Sequence, residues 1–356
     1  MDWINFDSEN FDPSVYITNW KEESDPLKNG IASFLSEWYD DNEFISIQSS
    51  GTTGEIQSFD ISKSCLLASA QMTASFFSFK KGDTALLCLS MNFIAGKMMV
   101  VRSIASQLKL AIGTMGSTPL IELNTRIDFC PMVPLQVENS LEHIHKINTL
   151  LIGGAGLNES LEKVIANKHQ NAFMSFGMAE TLSHIAIRKL GDHSRVFKLM
   201  DHVEISTKDD CLLINAPELG VESLQTKDLI ELVGEDSFRW VGRKDNLINS
   251  GGVKIIPEIL EDQIKNIFPE NDYFIGAIPD DSLGQKVVLI IEGELVGDGA
   301  KIVDRKVFES VGLSRYQIPK EIIHLQEFIR TESNKLKRKY ILNHLNELII
   351  ISRRVL

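Results

Sequence analysis

Between Glu43 and Lys168, short apolar runs alternate with longer stretches of helical spacing. EFISIQ, residues 43–48, alternates with period two and is rich in β-branched residues, so it predicts a strand. SKSCLLASAQMTASFFSF then places apolar residues at helical spacing. TALLCLS, preceded by Gly82 and Asp83, has the length of a buried strand. Residues 96–108 read as a helix and LKLAIGT as the next strand. NTLLIGGAG reads as a strand running into a glycine loop, and NESLEKVIANK as a helix capped by Asn158. Strands joined through helices make a parallel or mixed sheet, because a parallel pair needs a crossover connection. The expected class is therefore α/β.

The pattern changes after Gly242. RKDNLINSGGVKIIPEILED passes from a turn through a glycine pair into an amphipathic helix. FIGAIPDDSLGQKVVLIIEGE is β-rich, and two further helical stretches ending at Leu356 are expected. About 110 residues are enough for a separate α+β domain. The expected division is a large α/β domain with mixed sheets over 1–243 and a small α+β domain over 244–356, joined near Asp245.

Composition excludes several classes. Apolar residues make up 43% of the 356, enough for a core without disulfides. The net charge of −13 repels phosphate backbones and anionic lipid, so neither nucleic acid nor a membrane surface is an expected partner. The apolar stretch TALLCLSMNFIAGKMMVVRSIA is interrupted by Lys97 and Arg102 and is too broken to span a bilayer. MDWINFDSEN is acidic and lacks the order of a secretory signal. Cys65, Cys88, Cys130 and Cys211 are far apart, with no CxxC pair, and read as reduced thiols of a cytoplasmic protein.

Several segments carry chemistry. Ser49-Ser50-Gly51-Thr52-Thr53-Gly54 follows the EFISIQ strand and packs four hydroxyls and two glycines into six residues. Small residues let backbone N–H groups crowd an anion while the hydroxyls add donors, which suits a phosphate chain; a plain polar turn has the same composition. No Gly-Lys-Ser/Thr follows, so it is not a Walker loop. Gly154-Ala155-Gly156-Leu157-Asn158-Glu159 resembles a dinucleotide fingerprint, but Glu159 replaces the third glycine. Its small residues still admit a flat base. In Ser175-Phe176-Gly177-Met178-Ala179-Glu180-Thr181, Phe176 offers a stacking face and Glu180 a carboxylate for Mg²⁺. His143 and His145 read as surface residues rather than a metal pair, and no GxSxG elbow is present. Asp228 and Arg243 are suited to ribose hydroxyls and phosphate. The glycines of the 249–254 segment permit close approach to a ligand, and Lys335 lies in a basic stretch.

Together these segments, in this order from Ser49 to Arg338, resemble the adenylate-forming acyl-CoA synthetase superfamily. SSGTTGEIQ resembles its phosphate loop, FGMAET its YGMTET segment, and TKDLIEL its TGDL segment. GRKDNLINSGGVKIIPEILE is similar to its hinge and glycine loop, and FIRTESNKLKR to its C-terminal lysine motif. The resemblance implies an enzyme, a CoA ligase, that uses ATP, Mg²⁺ and CoA on a small carboxylic acid. It implies that Ser49, Ser50, Gly51, Thr52, Thr53 and Gly54 cradle phosphates, with Thr52 and Glu180 at the metal. Gly154, Ala155, Phe176, Gly177, Thr181, Asp228, Arg243, Ser250, Gly251 and Gly252 would bind nucleotide and CoA. Lys335 and Glu180 would be catalytic, and the small domain would be a mobile lid turning about Asp245. For an aryl dicarboxylate, Asn92, Phe93, Gly96, Lys97 and Arg102 are the candidate substrate residues, with Arg102 equally readable as part of a surface ion pair. A homodimer is a candidate assembly.

The sequence departs from the family pattern at several points. Gln57 replaces the lysine ending the phosphate loop, and Ile56 the proline before it. Phe176 loses the family tyrosine's hydroxyl, Ala179 replaces a threonine, Lys227 a glycine, and Asn334 the glycine before Lys335. The N-terminal subdomain is expected to be shortened. A ligase for another aryl or short acyl acid, and a non-catalytic binder of nucleotide or acyl-adenylate, stay open as alternatives.

Overall fold

The computed structural model describes residues 1–7, 9, 11–48, 58–269, 271–294, 304–331 and 335–356. The chain divides into two compact units. The first holds 1–205, 214–224 and 233–237; the second holds 206–213, 225–232 and 238–356.

In the first unit, β1 (Asp2–Asn5), α1 (Pro13–Trp20) and α2 (Pro26–Trp38) precede a hairpin of β2 (Phe44–Gln48) and β3 (Ser58–Ser62). Next come α3 (Lys63–Phe77), β4 (Thr84–Leu87), α4 (Ile94–Ser106), β5 (Lys109–Ile112), β6 (Ile127–Met132), α5 (Pro134–Glu138) and β7 (Ile147–Ile152). The unit continues with α6 (Glu159–Lys168), β8 (Ala172–Gly177), β9 (His184–Lys189) and β10 (Val196–Leu199). The sheet order is β1-β5-β4-β6-β7-β8-β9-β10. β5, β4, β6, β7 and β8 run parallel, as crossover connections allow, while β1, β9 and β10 are antiparallel to their neighbours. The mixed α/β class read from the sequence is thus the observed one.

Local chemistry fixes the helix starts. Asp25 accepts from Leu27 N at 2.9 Å ahead of Pro26, and Ser62 Oγ accepts from Cys65 N at 3.1 Å. Asn158 Oδ1 accepts from Leu161 N at 2.7 Å, so it caps α6 as expected. On that helix Glu162 forms a two-pronged pair with Arg188 of β9, at 2.6 and 2.7 Å, and each side chain is only 9% exposed.

β11 (Glu204–Lys208), β12 (Cys211–Ala216), β13 (Val221–Leu232) and β14 (Ser237–Arg243) are ordered β14-β13-β12-β11. The second unit then contains β15 (Ile248–Ser250), β16 (Val253–Ile255), α7 (Pro257–Ile264), β17 (Tyr273–Asp280) and β18 (Gly284–Glu292). It ends with α8 (Arg305–Ser310), β19 (Glu321–Leu325), α9 (Arg338–Asn343) and β20 (Ile350–Val355). The run VVLII of β18 is continuously apolar because both faces of its sheet are covered. Val287, Leu289 and Ile291 pack with Leu260, Ile264 and Phe308, while Val288 and Ile290 pack with Phe274, Ile323 and Ile341.

The ending differs from the sequence reading. The last α-helix stops at Asn343, a single 3-10 turn follows over Leu345–Glu347, and the chain finishes in β20, antiparallel to β19. Short apolar runs such as EIIHL and IIISRRV do not declare strand or helix by periodicity, and their sheet neighbours decide. Among the described residues no helix is long and apolar enough to cross a membrane.

Removing one member of the Glu162–Arg188 pair strands a buried charge. Glu162→Ala is expected to lower unfolding free energy by about 3 kcal/mol, read from urea denaturation. The double change Glu162→Leu/Arg188→Met is expected to restore most of it.

Candidate active site

The sheet order β5-β4-β6 makes a switch point: the chain leaves β4 toward one side for β5 and returns on the other for β6. Ligands of open α/β sheets bind outside the carboxyl ends of the strands at such a place. Asn92 and Phe93 follow β4, with Phe93 opening α4, where Gly96 is buried and Lys97 is partly buried. Gly154 and Ala155 follow β7, Gly177 ends β8, and Met178 to Thr181 follow it. These segments share one sheet edge because their strands share a direction.

Phe176 is partly buried and packs edge-on against Phe197, with ring centroids 5.7 Å apart. Arg188 lies over the Phe197 ring at 5.6 Å, so the buried ion pair also backs this aromatic wall. Gly177 cannot be replaced: a Cβ there would lie 2.1 Å from the carbonyl oxygen of Ser183. Glu180 is exposed. Thr181 is fully buried, and its hydroxyl accepts from Met178 N and donates to Ser183 O at 2.8 Å, bracing the turn. Leu182 has φ +63° and ψ −36°, with Ser183 N bonded to Thr181 O at 2.7 Å. That is a γ-turn, a strained form for a non-glycine residue. It aims Ser183 and His184 back toward α3 and α4.

There they meet Arg102, which is 2% exposed. Its Nε donates to Thr73 Oγ1 at 3.2 Å, its Nη2 to Ser183 Oγ at 2.5 Å, and its Nη1 faces Met99 Sδ at 3.7 Å. No carboxylate pairs with it among the described residues. Burial alone lowers its pKa to about 10, so it stays charged at neutral pH. His184 is 8% exposed, with Nε2 3.1 Å from Thr73 Oγ1 and Nδ1 3.2 Å from Ser183 Oγ. Burial first, and the Arg102 charge second, hold its pKa well below 6.5. The surface ion pair that the sequence allowed for Arg102 is therefore not what the fold builds. Thr73, Ser183 and His184 were not singled out by sequence; their one signal is that Ser183 and His184 directly follow the FGMAET segment.

Ser49, Ser50, Gly51, Thr52, Thr53, Gly54 and Gln57 lie outside the described residues. In the second unit, Asp228 and Arg243 face each other across β13 and β14. Asp228 is 5% exposed; its Oδ1 accepts from Trp240 Nε1 at 3.0 Å, and Arg243 Nη1 lies 3.4 Å from both oxygens. Asp245 is flanked by Lys227 and Arg243, each at 3.4 Å, and by Lys339 at 3.9 Å. Burial raises its pKa, but Arg243, its own backbone N–H and Lys227 outweigh that and leave it lowered. Gly251 and Gly252, both at positive φ, form the two-residue turn between β15 and β16, so hairpin geometry already requires them. Ser250 is buried just before that turn. Thr331 N donates to Lys335 O at 2.8 Å. Nearby in sequence, Arg330 is paired to Asp272 and Glu292, and Arg338 to Glu261.

The chain is 30% identical to an acyl-CoA synthetase (AMP-forming)/AMP-acid ligase II-like protein from Dyadobacter fermentans DSM 18053. The two superpose with a TM-score of 0.61 over 92% of this chain and 97% of that one. The chain belongs to the family of AMP-forming acyl-CoA synthetases. Within that class it is similar to a 2-succinylbenzoate–CoA ligase from Listeria monocytogenes, 26% identical over 215 residues, 54% of this chain and 45% of that protein. It shares its fold with the o-succinylbenzoate CoA synthetase of Bacillus subtilis solved with the acyl-adenylate intermediate OSB-AMP. That match has a TM-score of 0.71 at 20% identity, over 83% of this chain and 68% of that one. The chain spans about half the length of the Listeria relatives. No protein-family model matches it.

The depressed pKa of His184 has a measurable consequence. The unfolded chain takes up a proton near pH 6.5 that the folded chain refuses. The stabilisation is complete above that pH and is lost as pH falls below it. Between pH 7.5 and 5.5 the native protein is expected to lose about 1.4 kcal/mol relative to His184→Gln, read from denaturation midpoints. Parallel curves for the two proteins would contradict a neutral buried histidine.

Proposed function

We propose that this chain is an ATP-dependent carboxylate–CoA ligase acting on 2-succinylbenzoate. The observation that carries the substrate reading is Arg102, a buried guanidinium held by neutral groups beside the segment that follows β8. An isolated buried charge is costly and is stabilised when an anion joins it. An acid with one carboxylate to activate and a second to be recognised supplies that anion. Relatives named as 2-succinylbenzoate–CoA ligases support the choice of acid.

Two half-reactions follow. A carboxylate oxygen of the acid attacks the α-phosphorus of ATP and pyrophosphate leaves, giving the acyl-adenylate. CoA thiolate then attacks the acyl carbon and AMP leaves. The protein's work is positioning and charge stabilisation. Ser49, Ser50, Thr52 and Thr53 would donate to the β- and γ-phosphates, and Gly51 and Gly54 would let the backbone approach. Gly154, Ala155, Phe176 and Gly177 would line the base, with Thr181 bracing that turn. Asp228 would accept ribose hydroxyls while Trp240 and Arg243 hold it in place. Asn92, Phe93, Gly96 and Lys97 would border the acid. Glu180 and Thr52 would hold Mg²⁺, which needs few protein ligands beside phosphates and fits one exposed carboxylate; bound, it would offset phosphate charge. Lys335 would bridge the carboxylate and α-phosphate during adenylation. Turning of the 244–356 region about Asp245 would then withdraw Lys335 and present Ser250, Gly251 and Gly252 to CoA. The cytoplasm supplies ATP and CoA and suits four free cysteines.

The test is ATP–pyrophosphate exchange over a panel of aryl and short acyl acids. Exchange driven most efficiently by 2-succinylbenzoate is expected. Exchange favouring a monocarboxylate overturns the substrate reading, and ATP binding without acid-dependent exchange makes the chain a nucleotide or adenylate binder. Lys335→Ala is expected to lose adenylation by about 10²–10³-fold while largely keeping thioester formation from supplied acyl-adenylate. Equal loss in both half-reactions contradicts its role.

A further inference from the structure

Four buried or half-buried groups from α3, α4, the β8–β9 connection and the first residue of β9 form one closed hydrogen-bond circuit, and its proton positions can be read. Thr73 Oγ1 lies 3.1 Å from Ser69 O, 3.1 Å from His184 Nε2 and 3.2 Å from Arg102 Nε. A carbonyl only accepts, so the single threonine proton goes to Ser69 O. Arg102 only donates. The remaining contact is made by a proton on His184 Nε2. On the other side, Ser183 Oγ accepts from Arg102 Nη2 at 2.5 Å and sends its own proton to His184 Nδ1 at 3.2 Å. The imidazole therefore uses both nitrogens, one as donor and one as acceptor, and carries no charge.

We propose that His184 is a positioning residue for the second carboxylate of the acid substrate: as the neutral Nε2–H tautomer it turns Thr73 and Ser183 so that both hydroxyls accept from Arg102. This rests on the substrate reading above. The guanidinium is then fixed on two edges by neutral acceptors, and its charge is left for a ligand anion rather than cancelled within the protein. A carboxylate at position 184 would pair with Arg102 itself and compete with the substrate. A second cation there would raise the site to two positive charges. A neutral ring with one donor and one acceptor fixes the arginine and does neither. The strained turn at Leu182 fits this account, since it places Ser183 and His184 on consecutive sides of the circuit.

The experiment has a structural arm and a kinetic arm. In ¹⁵N-labelled full-length protein, the His184 ring is expected to show a protonated Nε2 and an unprotonated Nδ1 at pH 7. The opposite tautomer, or a doubly protonated ring, overturns the circuit. Kinetically, His184→Leu is expected to raise KM for 2-succinylbenzoate about tenfold, the size of one lost hydrogen bond to a charged group. KM for ATP and kcat should change less than twofold. His184→Gln, whose amide offers one donor and one acceptor, is expected to return KM to within threefold of the native value. 4-Oxo-4-phenylbutanoate and 2-butanoylbenzoate each lack one carboxylate, and whichever is turned over should show a KM that His184→Leu leaves unchanged. A native enzyme inert toward 2-succinylbenzoate overturns the substrate reading, and the role of His184 with it. A native enzyme active on that acid, with a KM that His184→Leu does not move, overturns the positioning role alone.

Discussion

A guanidinium removed from water and bonded, among the described residues, only to neutral atoms is the constraint around which the first unit's candidate site is arranged. Arg102 sits on the third turn of α4, the crossover that follows β4 at the switch point of the sheet. Its partners come from α3 and from the segment after β8. Three stretches distant in sequence must converge for that cation to be tolerated. Several carboxylates of this acidic chain are paired elsewhere: Glu162 with Arg188, Glu261 with Arg338, Glu321 with Lys286 and Arg353. A fold selected for stability alone would place an acid or an apolar side chain at such a point.

The same end of the sheet concentrates other costs. Gly177 is squeezed against the Ser183 carbonyl, Leu182 is held at positive φ, and the register of β8 on β9 shifts between Phe176 and Gly177. Strain of this kind persists where surrounding structure over-determines it. Here the Glu162–Arg188 pair and the Phe197 ring stiffen the wall behind Phe176. Rigid backing suits a site whose chemistry is positioning.

Much of the framework was legible in the sequence. The alternation from Glu43 to Lys168 gave β4, β5 and β7 with the helices α3, α4 and α6, and Asn158 announced the start of α6. β6 and β8 were not read, and the strand expected from Glu43 pairs in the antiparallel β2–β3 hairpin. Asp228 and Arg243 were both assigned to the nucleotide from the sequence, and the β13–β14 pairing that sets them opposite each other is a finding of the structure. The termini were less readable. β1 is four residues long and owes its state to pairing with β5, and β20 owes its state to β19. His184 was hidden for a different reason. HIAIR reads as a core strand, and the partner that gives the ring its role, Thr73, lies 111 residues away. Gly251 and Gly252 show the converse, since a tight hairpin turn accounts for glycines that the sequence reading assigned to ligand approach.

The most direct test of the central claim compares the thermal stability of native protein and Arg102→Met, each with and without 2-succinylbenzoate. If the cation is kept for a substrate anion, the substitution should raise Tm of the unliganded protein by removing an unpaired buried charge. It should also abolish the shift that the dicarboxylate gives the native chain. A variant that melts lower than the native protein, yet keeps the full ligand-induced shift, would contradict the account.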